Sequence, residues 1–378
     1  MRTHRKLGAS AIHGWVRVQD GRFANESDFL GIRCLTEFSG PFDCISDNES
    51  DLTRRLDRAS AARRNAVRYL MMAKNLFSLS PVMLGYWEAQ DRAVTLANDR
   101  GLYAECCLFA DAQDVLPSHD DRKALTRDYA DWCKQHPGVI PQLANEPFKN
   151  GWTGATDPLL LELADIFRSI YGTRDFSIGD PQDVVNAEGG EPLGSHLETL
   201  AHHSLILPLH ADRTVDPARY ARWADHLKGL DDFRSRPSVD ACGLWHDEPM
   251  GMASTFQPGR RDNRAEALVA AACVSAICQI AFTTHYISAQ DDVIPGLMES
   301  AIAADIPHRP EWEFRNAVTS GSPVIGFDGF EKVRPCTNGH EAWACAYGLS
   351  KGSLQWADGF RPERVFNGAN VEVWRASK

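Results

Sequence analysis

The chain has 378 residues, 43% hydrophobic and 24% charged, an ordinary globular composition with room for one large domain and an appendage. A formal net charge of -11 argues against nucleic acid or an anionic membrane as partner, since either wants a basic face, and it says nothing against neutral ligands such as sugars. No apolar run approaches the roughly 20 residues that span a bilayer, and no apolar segment follows the basic start at residues 1–6, so neither a membrane anchor nor a cleavable signal is expected. The expected setting is the cytoplasm, or a site reached by a route without a cleavable signal.

Residues 11–18 and 29–38 cluster β-formers, and Gly40-Pro41 ends the second stretch. Residues 51–64, rich in Arg, Ala and Leu with no breaker, predict a helix. Residues 66–72 are apolar except for Arg68, the mark of a strand buried on both faces. The alternation then repeats. A helix over 86–100 has Gly101 placed to cap it, a buried strand over 102–110 ends at Asp111, and a helix over 120–135 stops at Pro137-Gly138. A strand over 139–146 ends in Asn145-Glu146-Pro147, a helix over 158–171 closes at Gly172, and a short strand over 175–178 precedes Gly179-Asp180-Pro181. Strands over 202–209, 239–245 and 282–288 follow, with helices over 217–233 and 264–280 between them. The segment 295–304 supplies a last helix.

Taking 29–38 as the first, eight strands alternate with helices, roughly 35 residues apart, the length of a βα unit. Such alternation gives right-handed crossovers and a parallel sheet. Eight units favour an α/β fold closed into a (β/α)8 TIM barrel, and no glycine-rich phosphate loop follows any strand to argue for an open nucleotide-binding sheet. From about residue 310 the pattern changes to short strands (324–327, 332–334, 341–347, 353–356, 371–375) with turns between them. The expected organisation is a barrel over 1–310 and a small antiparallel β appendage over 311–378, packed on the barrel.

Ten cysteines lack metal-ligand spacing and read as reduced core thiols, Cys106 and Cys107 facing opposite sides of one strand. The alternative is a hairpin-spanning disulfide, Cys34 with Cys44 or Cys336 with Cys345.

Two acids end barrel strands and precede proline: Glu146, and Glu248 in His246-Asp247-Glu248-Pro249. On the fourth and seventh strands they are expected at one mouth, where parallel barrels carry their chemistry. Facing carboxylates can hydrolyse a glycosidic bond, one donating a proton and the other attacking or activating water. Asp247 is the rival to Glu248. Arg68 in an apolar strand needs a buried anion. Trp152 and Trp245 flank the two acids and could stack on sugar rings or pack the core. Lys74, Asn75 and Gln113 follow strands two and three as candidate hydroxyl-binding groups. His202, His203, His210, His246, His285, Asp111 and Asp180 fall near expected strand tips, yet no metal-binding spacing occurs among them, and no metal or cofactor is expected. No Gly-x-Ser-x-Gly elbow offers a serine nucleophile.

Asn145-Glu146-Pro147 on the fourth strand, Asn65-Ala66-Val67-Arg68 in the second and a glutamate ending the seventh resemble the retaining glycoside hydrolases of the large barrel clan that includes cellulases, mannanases and β-galactosidases. The resemblance spans roughly residues 11–300. It implies that Glu146 is the acid/base, that Asn145 binds the sugar's 2-hydroxyl, that Glu248 is the nucleophile and that Arg68 keeps it ionised. The clan's sixth-strand His-x-Tyr is matched only by His210, and Tyr286 stands for its eighth-strand tryptophan. The function expected is a retaining β-glycoside hydrolase acting on a β-linked oligo- or polysaccharide, with a carboxyl separation of about 5–5.5 Å. Two alternatives stay open: a barrel without catalysis that binds glycan or serves a larger assembly, and a metal-dependent hydrolase.

Overall fold

The computed structural model describes residues 12, 14–74, 78–147, 150–179, 193–210, 241–251, 265–285, 298–314, 317–348 and 350–378, with side chains except at 193–196, 209–210, 246–251, 265–268, 271, 285 and 298–299. The first elements are an antiparallel hairpin, β1 (Arg17–Gln19) and β2 (Arg22–Ala24), rather than the strand expected over 11–18. Its two-residue turn, Asp20-Gly21, has positive φ at both positions (52° and 69°), the geometry for which Asp-Gly is favoured.

The barrel begins at β3 (Arg33–Thr36), shorter than the expected 29–38. It is followed by α1 (Gly40–Ile45), where Pro41 sits in the first turn and starts a helix instead of only ending a strand. In α2 (Glu49–Ala61) the buried residues Leu52, Arg55, Leu56 and Ala59 recur at helical spacing. Arg55 is accommodated there by ion pairs to Glu37 (2.8 Å), Asp43 (2.5 Å) and Asp51. Next come β4 (Ala66–Leu70), α3 (Tyr86–Asn98), β5 (Tyr103–Phe109), α4 (Ala112–Val115), α5 (His119–Cys133) and β6 (Val139–Ala144). They continue as α6 (Pro158–Tyr171), α7 (Leu193–His203), β7 (Ile206–His210), β8 (Gly243–Gly251), α8 (Ala265–Ile277), β9 (Ala281–His285) and α9 (Met298–Ala303). The helix expected over 217–233 lies outside the described residues.

Seven parallel strands run in the order β6-β5-β4-β3-β9-β8-β7. The expected fifth barrel strand is reduced to a bridge at Ser177, which pairs with Gln142 of β6 on one side and Ile206 of β7 on the other. Backbone bonds from Leu143 N to Ser177 O (2.8 Å) and from Ile206 N to Phe176 O (3.2 Å) join that segment to both neighbours. The ring therefore closes on eight strands.

Alternation along each strand sorts side chains between two cores. Val67, Tyr69, Ala104, Cys106, Leu143 and Phe176 face the helices, while an inner layer takes Cys34, Ala66, Tyr103, Ile140, Ile206, Trp245 and Ala281, one from each of β3 to β9. The β1–β2 hairpin closes this N-terminal end. Phe23 meets Trp245 edge-on at 5.5 Å, and Asn25 Nδ2 donates to Tyr103 Oη at 3.1 Å. Burying a side chain such as Phe23 is worth about 2–3 kcal/mol. With the N-terminal end covered, the C-terminal end is the one at which parallel barrels carry their chemistry.

The remaining strands are β10 (Glu313–Phe314), β11 (Val324–Asp328), β12 (Lys332–Thr337), β13 (Glu341–Tyr347), β14 (Ser353–Trp356), β15 (Arg361–Asn367) and β16 (Val371–Ser377). They form an antiparallel sheet β10-β12-β13-β16-β15 and a smaller β11-β14 pair. Trp343, Cys345, Tyr347, Val371 and Val373 join the core cluster that contains α8, while Val333, Ala344 and Ala346 pack with Val324 and Phe330. The apolar helix α8 thus has barrel strands on one side and the appendage sheet on the other, which accounts for its apolar character all round.

Two expectations are corrected. The strand expected over 202–209 starts at Ile206, because α7 runs through His203. The strand expected over 239–245 starts at Gly243 and continues to Gly251. All ten cysteines are free thiols, so neither Cys34–Cys44 nor Cys336–Cys345 is a disulfide. Cys336 lies opposite Trp343, and Cys345 opposite Arg334. Among the described residues no helix is long and apolar enough to cross a membrane.

Candidate active site

Toward the C-terminal ends of β4, β5 and β6 the barrel interior holds a buried polar network. Arg68 lies inside the ring because its neighbours Val67 and Tyr69 point to the helices. Its guanidinium is fully buried, and Nη2 donates to Gln142 Oε1 and to Asn145 Oδ1, both at 2.9 Å. Its Nε lies 3.7 Å from Glu105 Oε2, a carboxylate that is itself 3% exposed and directly opposite Arg68 in the β4–β5 register. The anion that Arg68 requires is thus present in the neighbouring strand, and one hydrogen-bonded chain runs from the barrel interior to its rim.

Asn145 and Glu146 directly follow β6, and both are half-buried. Asn145 N donates to Phe109 O at 2.9 Å, which extends the β5–β6 ladder past the end of the strand. Glu146 then takes φ +37°, a left-handed conformation that few side-chain-bearing residues adopt. Gly179 makes room for this corner. A Cβ there would stand 2.7 Å from the Ala144 carbonyl oxygen and 2.9 Å from Pro147 Cγ, so the end of the fifth strand passes tight against the tip of β6.

Glu248 lies within β8, not after it. In the β8–β9 register His246 pairs with Phe282 and Met250 with Thr284, so the stretch through Asp247, Glu248 and Pro249 carries two more residues than its partner. This is a bulge, the device that re-aims side chains at barrel rims and tolerates a proline within a sheet. On the other flank His210 pairs with Asp247. Glu146, just past β6, and Glu248, within β8, thus belong to strands three steps apart around the ring, counted from β6 through the Ser177 segment and β7 to β8.

The two tryptophans depart from a stacking role. Trp245 is 1% exposed at the sealed end, and its Nε1 donates to Thr283 Oγ1 at 2.7 Å. It is core, two turns of the pleat below the rim. Trp152 is 6% exposed: the loop after Pro147 returns through a Trp152 N to Pro147 O bond (3.1 Å) and lays the indole between Phe109 (5.7 Å) and the Arg122 guanidinium (4.7 Å). A ring so nearly buried, with a guanidinium over it, is not open to a sugar.

Lys74 is exposed in the loop after β4, and Asp111 is buried at the N-cap of α4, which contains Gln113. His210 and His285 end β7 and β9, and His246 is the fourth of the nine residues of β8. Asn75, Asp180 and Tyr286 lie outside the described residues. His202 and His203 are corrected away from the mouth. They end α7, ahead of β7, and His203 Nδ1 meets Asp165 Oδ1 at 3.0 Å on the helical exterior. Among the described residues no group of three or more His, Cys, Asp or Glu could hold a metal ion. Sequence reasoning missed Glu105, Gln142 and Asn150. A signal existed for the first: a charged residue between Ala104 and Cys106 in an otherwise apolar strand, the same pattern that singled out Arg68.

No protein-family model and no curated protein sequence matches the chain. Its structural neighbours are glycoside hydrolases, at low sequence identity. A family 5 glycoside hydrolase from Bacteroides vulgatus has a TM-score of 0.63 at 12% identity, over 100% of this chain and 96% of that one. A family 39 glycoside hydrolase from Bacteroides cellulosilyticus has a TM-score of 0.55 at 14% identity, over 97% and 88%. An endo-1,4-β-mannanase from Rhizomucor miehei has a TM-score of 0.51 at 11% identity, over 76% and 99%. The likeness is one of fold, and the mannanase is matched over nearly its whole length by about three quarters of this chain.

Proposed function

We propose that this protein is a retaining β-glycoside hydrolase with Glu146 as acid/base and Glu248 as nucleophile, acting on a β-linked oligo- or polysaccharide. The observation that carries the proposal is the Arg68–Asn145 hydrogen bond next to Glu146, just past the C-terminal end of β6 in a barrel whose other end is plugged. The neighbours' names, a mannanase among them, support the substrate class.

In the first step the Glu248 carboxylate attacks the anomeric carbon and the glycosidic C–O bond breaks. Its electron pair leaves on the oxygen, which takes the proton from Glu146. Water then adds to the anomeric carbon while the Glu146 carboxylate accepts its proton, and the bond to Glu248 breaks with the pair returning to that carboxylate. The carboxyl separation that suits this route is about 5–5.5 Å. Arg68 keeps Asn145 aimed at the sugar's 2-hydroxyl and favours the charged form of the nucleophile. Lys74, Asn75, His210, His246 and Tyr286 are the remaining candidates for sugar hydroxyls. Residues 1–310 form the catalytic barrel in this reading and 311–378 its packed appendage.

The test is turnover of β-linked aryl glycosides and polysaccharides by wild type, Glu146→Gln and Glu248→Gln. Wild type is expected to release reducing ends, and each variant to fall by about 10²–10⁴-fold with its fold intact. Full activity in Glu248→Gln contradicts the assignment. Sugar binding without any release by wild type contradicts the enzyme reading altogether.

A further inference from the structure

Glu146 is held in a conformation that a side-chain-bearing residue resists, and one residue accounts for the holding. Asn150 is 8% exposed. Its Nδ2 donates to Asn145 O at 2.6 Å and lies 3.3 Å from Glu146 O. Those carbonyls belong to the two peptide units on either side of the Glu146 Cα, the planes whose rotations define φ and ψ at that residue. An amide nitrogen carries two hydrogens, so a single Asn side chain can bind both planes at once. The backbone adds to the clamp, with Asn150 N donating to Glu146 O at 3.2 Å and to Pro147 O at 3.1 Å. A left-handed glutamate persists only where its surroundings over-determine it, and such strain gathers at functional sites.

We infer that Asn150 is a positioning residue for acid catalysis: by fixing both backbone torsions at Glu146 it sets the direction in which that carboxyl leaves the main chain. The inference rests on the hydrolase reading above. It does not require Asn150 to touch substrate. It predicts a specific failure when the clamp is removed, because a proton donor that swings away harms only those substrates whose leaving group needs the proton.

The experiment compares wild type, Asn150→Asp and Asn150→Ala on two pairs of probes, the 2,4-dinitrophenyl and phenyl β-glucosides and β-mannosides, reading kcat/KM for the first chemical step. Asp preserves the shape and removes the donors. Both variants are expected to lose about 30-fold or more on the phenyl glycoside, the scale of a displacement near 1 Å. The loss on the dinitrophenyl glycoside, which departs without protonation, is expected to stay within about 3-fold. Asn150→Ser, which keeps one donor, is expected to fall between them. Thermal unfolding checks that each variant is folded, and Ala carries the comparison if the carboxylate of Asp disrupts the loop. Equal losses on both leaving groups, or no loss, overturn the inference while leaving the hydrolase reading intact, and so does loss of fold in all three variants. A wild type inactive on every β-linked substrate overturns the reading itself, and the inference with it.

Discussion

Arg68 is a cation with no access to water, and a buried charge is tolerated only with a counter-charge and satisfied donors. Glu105 supplies the first, while Gln142 and Asn145 supply acceptors. Replacing Glu105 by Gln removes the carboxylate 3.7 Å from the guanidinium, and about 3–5 kcal/mol of stability is expected to go, read as a fall in the urea midpoint. An unchanged midpoint would mean that Arg68 draws its compensation elsewhere. The need for a buried anion was legible in the sequence, since Arg68 interrupts an apolar strand. Its source was not, because only the β4–β5 register brings Glu105 opposite. The tryptophans failed for a related reason. Trp245 is next to His246 in sequence, yet it points inward at the sealed end, where it packs on Phe23. Adjacency to a functional motif does not say at which level of a barrel a ring lies.

At the level of elements, the loop from β6 to α6 carries the proposed acid/base and is tied at both ends. Asp157 caps α6, accepting from Leu159 N at 2.9 Å, and also takes bonds from Thr153 N and Oγ1 at 2.9 Å. Burial pushes its carboxyl up, but the hydrogen bonds donated by Thr153 and Leu159 outweigh this and hold it below its ordinary 3.8. A lowered acid stabilises the fold above its unfolded value and loses that contribution as pH falls through the folded one. Asp157→Ala is therefore expected to cost about 1 kcal/mol at neutral pH, the usual worth of a cap, and the gap from wild type should close as the solution is taken below 3.8. A gap that persists in acid would assign the loss to packing. Element types were readable wherever the apolar period was clean, as in α2, β5 and α6. The errors came where polar residues continue a strand. His246-Asp247-Glu248-Pro249 has the composition of a loop, but it continues β8, and a bulge takes up the proline. β15 escaped notice because this edge strand is almost wholly exposed and shows no apolar alternation.

On the scale of the whole molecule, strand–helix alternation alone pointed to eight units, and the ring does close, although its fifth member is a single bridged residue. Closure leaves one mouth, since the Asp20-Gly21 hairpin occupies the other. Why α8 is apolar on every face became clear only with the appendage sheet against it. The proposed pair, Glu146 and Glu248, was picked out in the sequence because both precede proline. The polar groups around Arg68, Asn145 and Glu146, namely Glu105, Gln142 and Asn150, were not, since they are defined by neighbours in space. The most direct test of the central claim is the configuration of the sugar first released, followed by proton NMR in D₂O before mutarotation blurs it. Two carboxyls about 5–5.5 Å apart working by double displacement give the β anomer first. Release of the α anomer first would contradict the account.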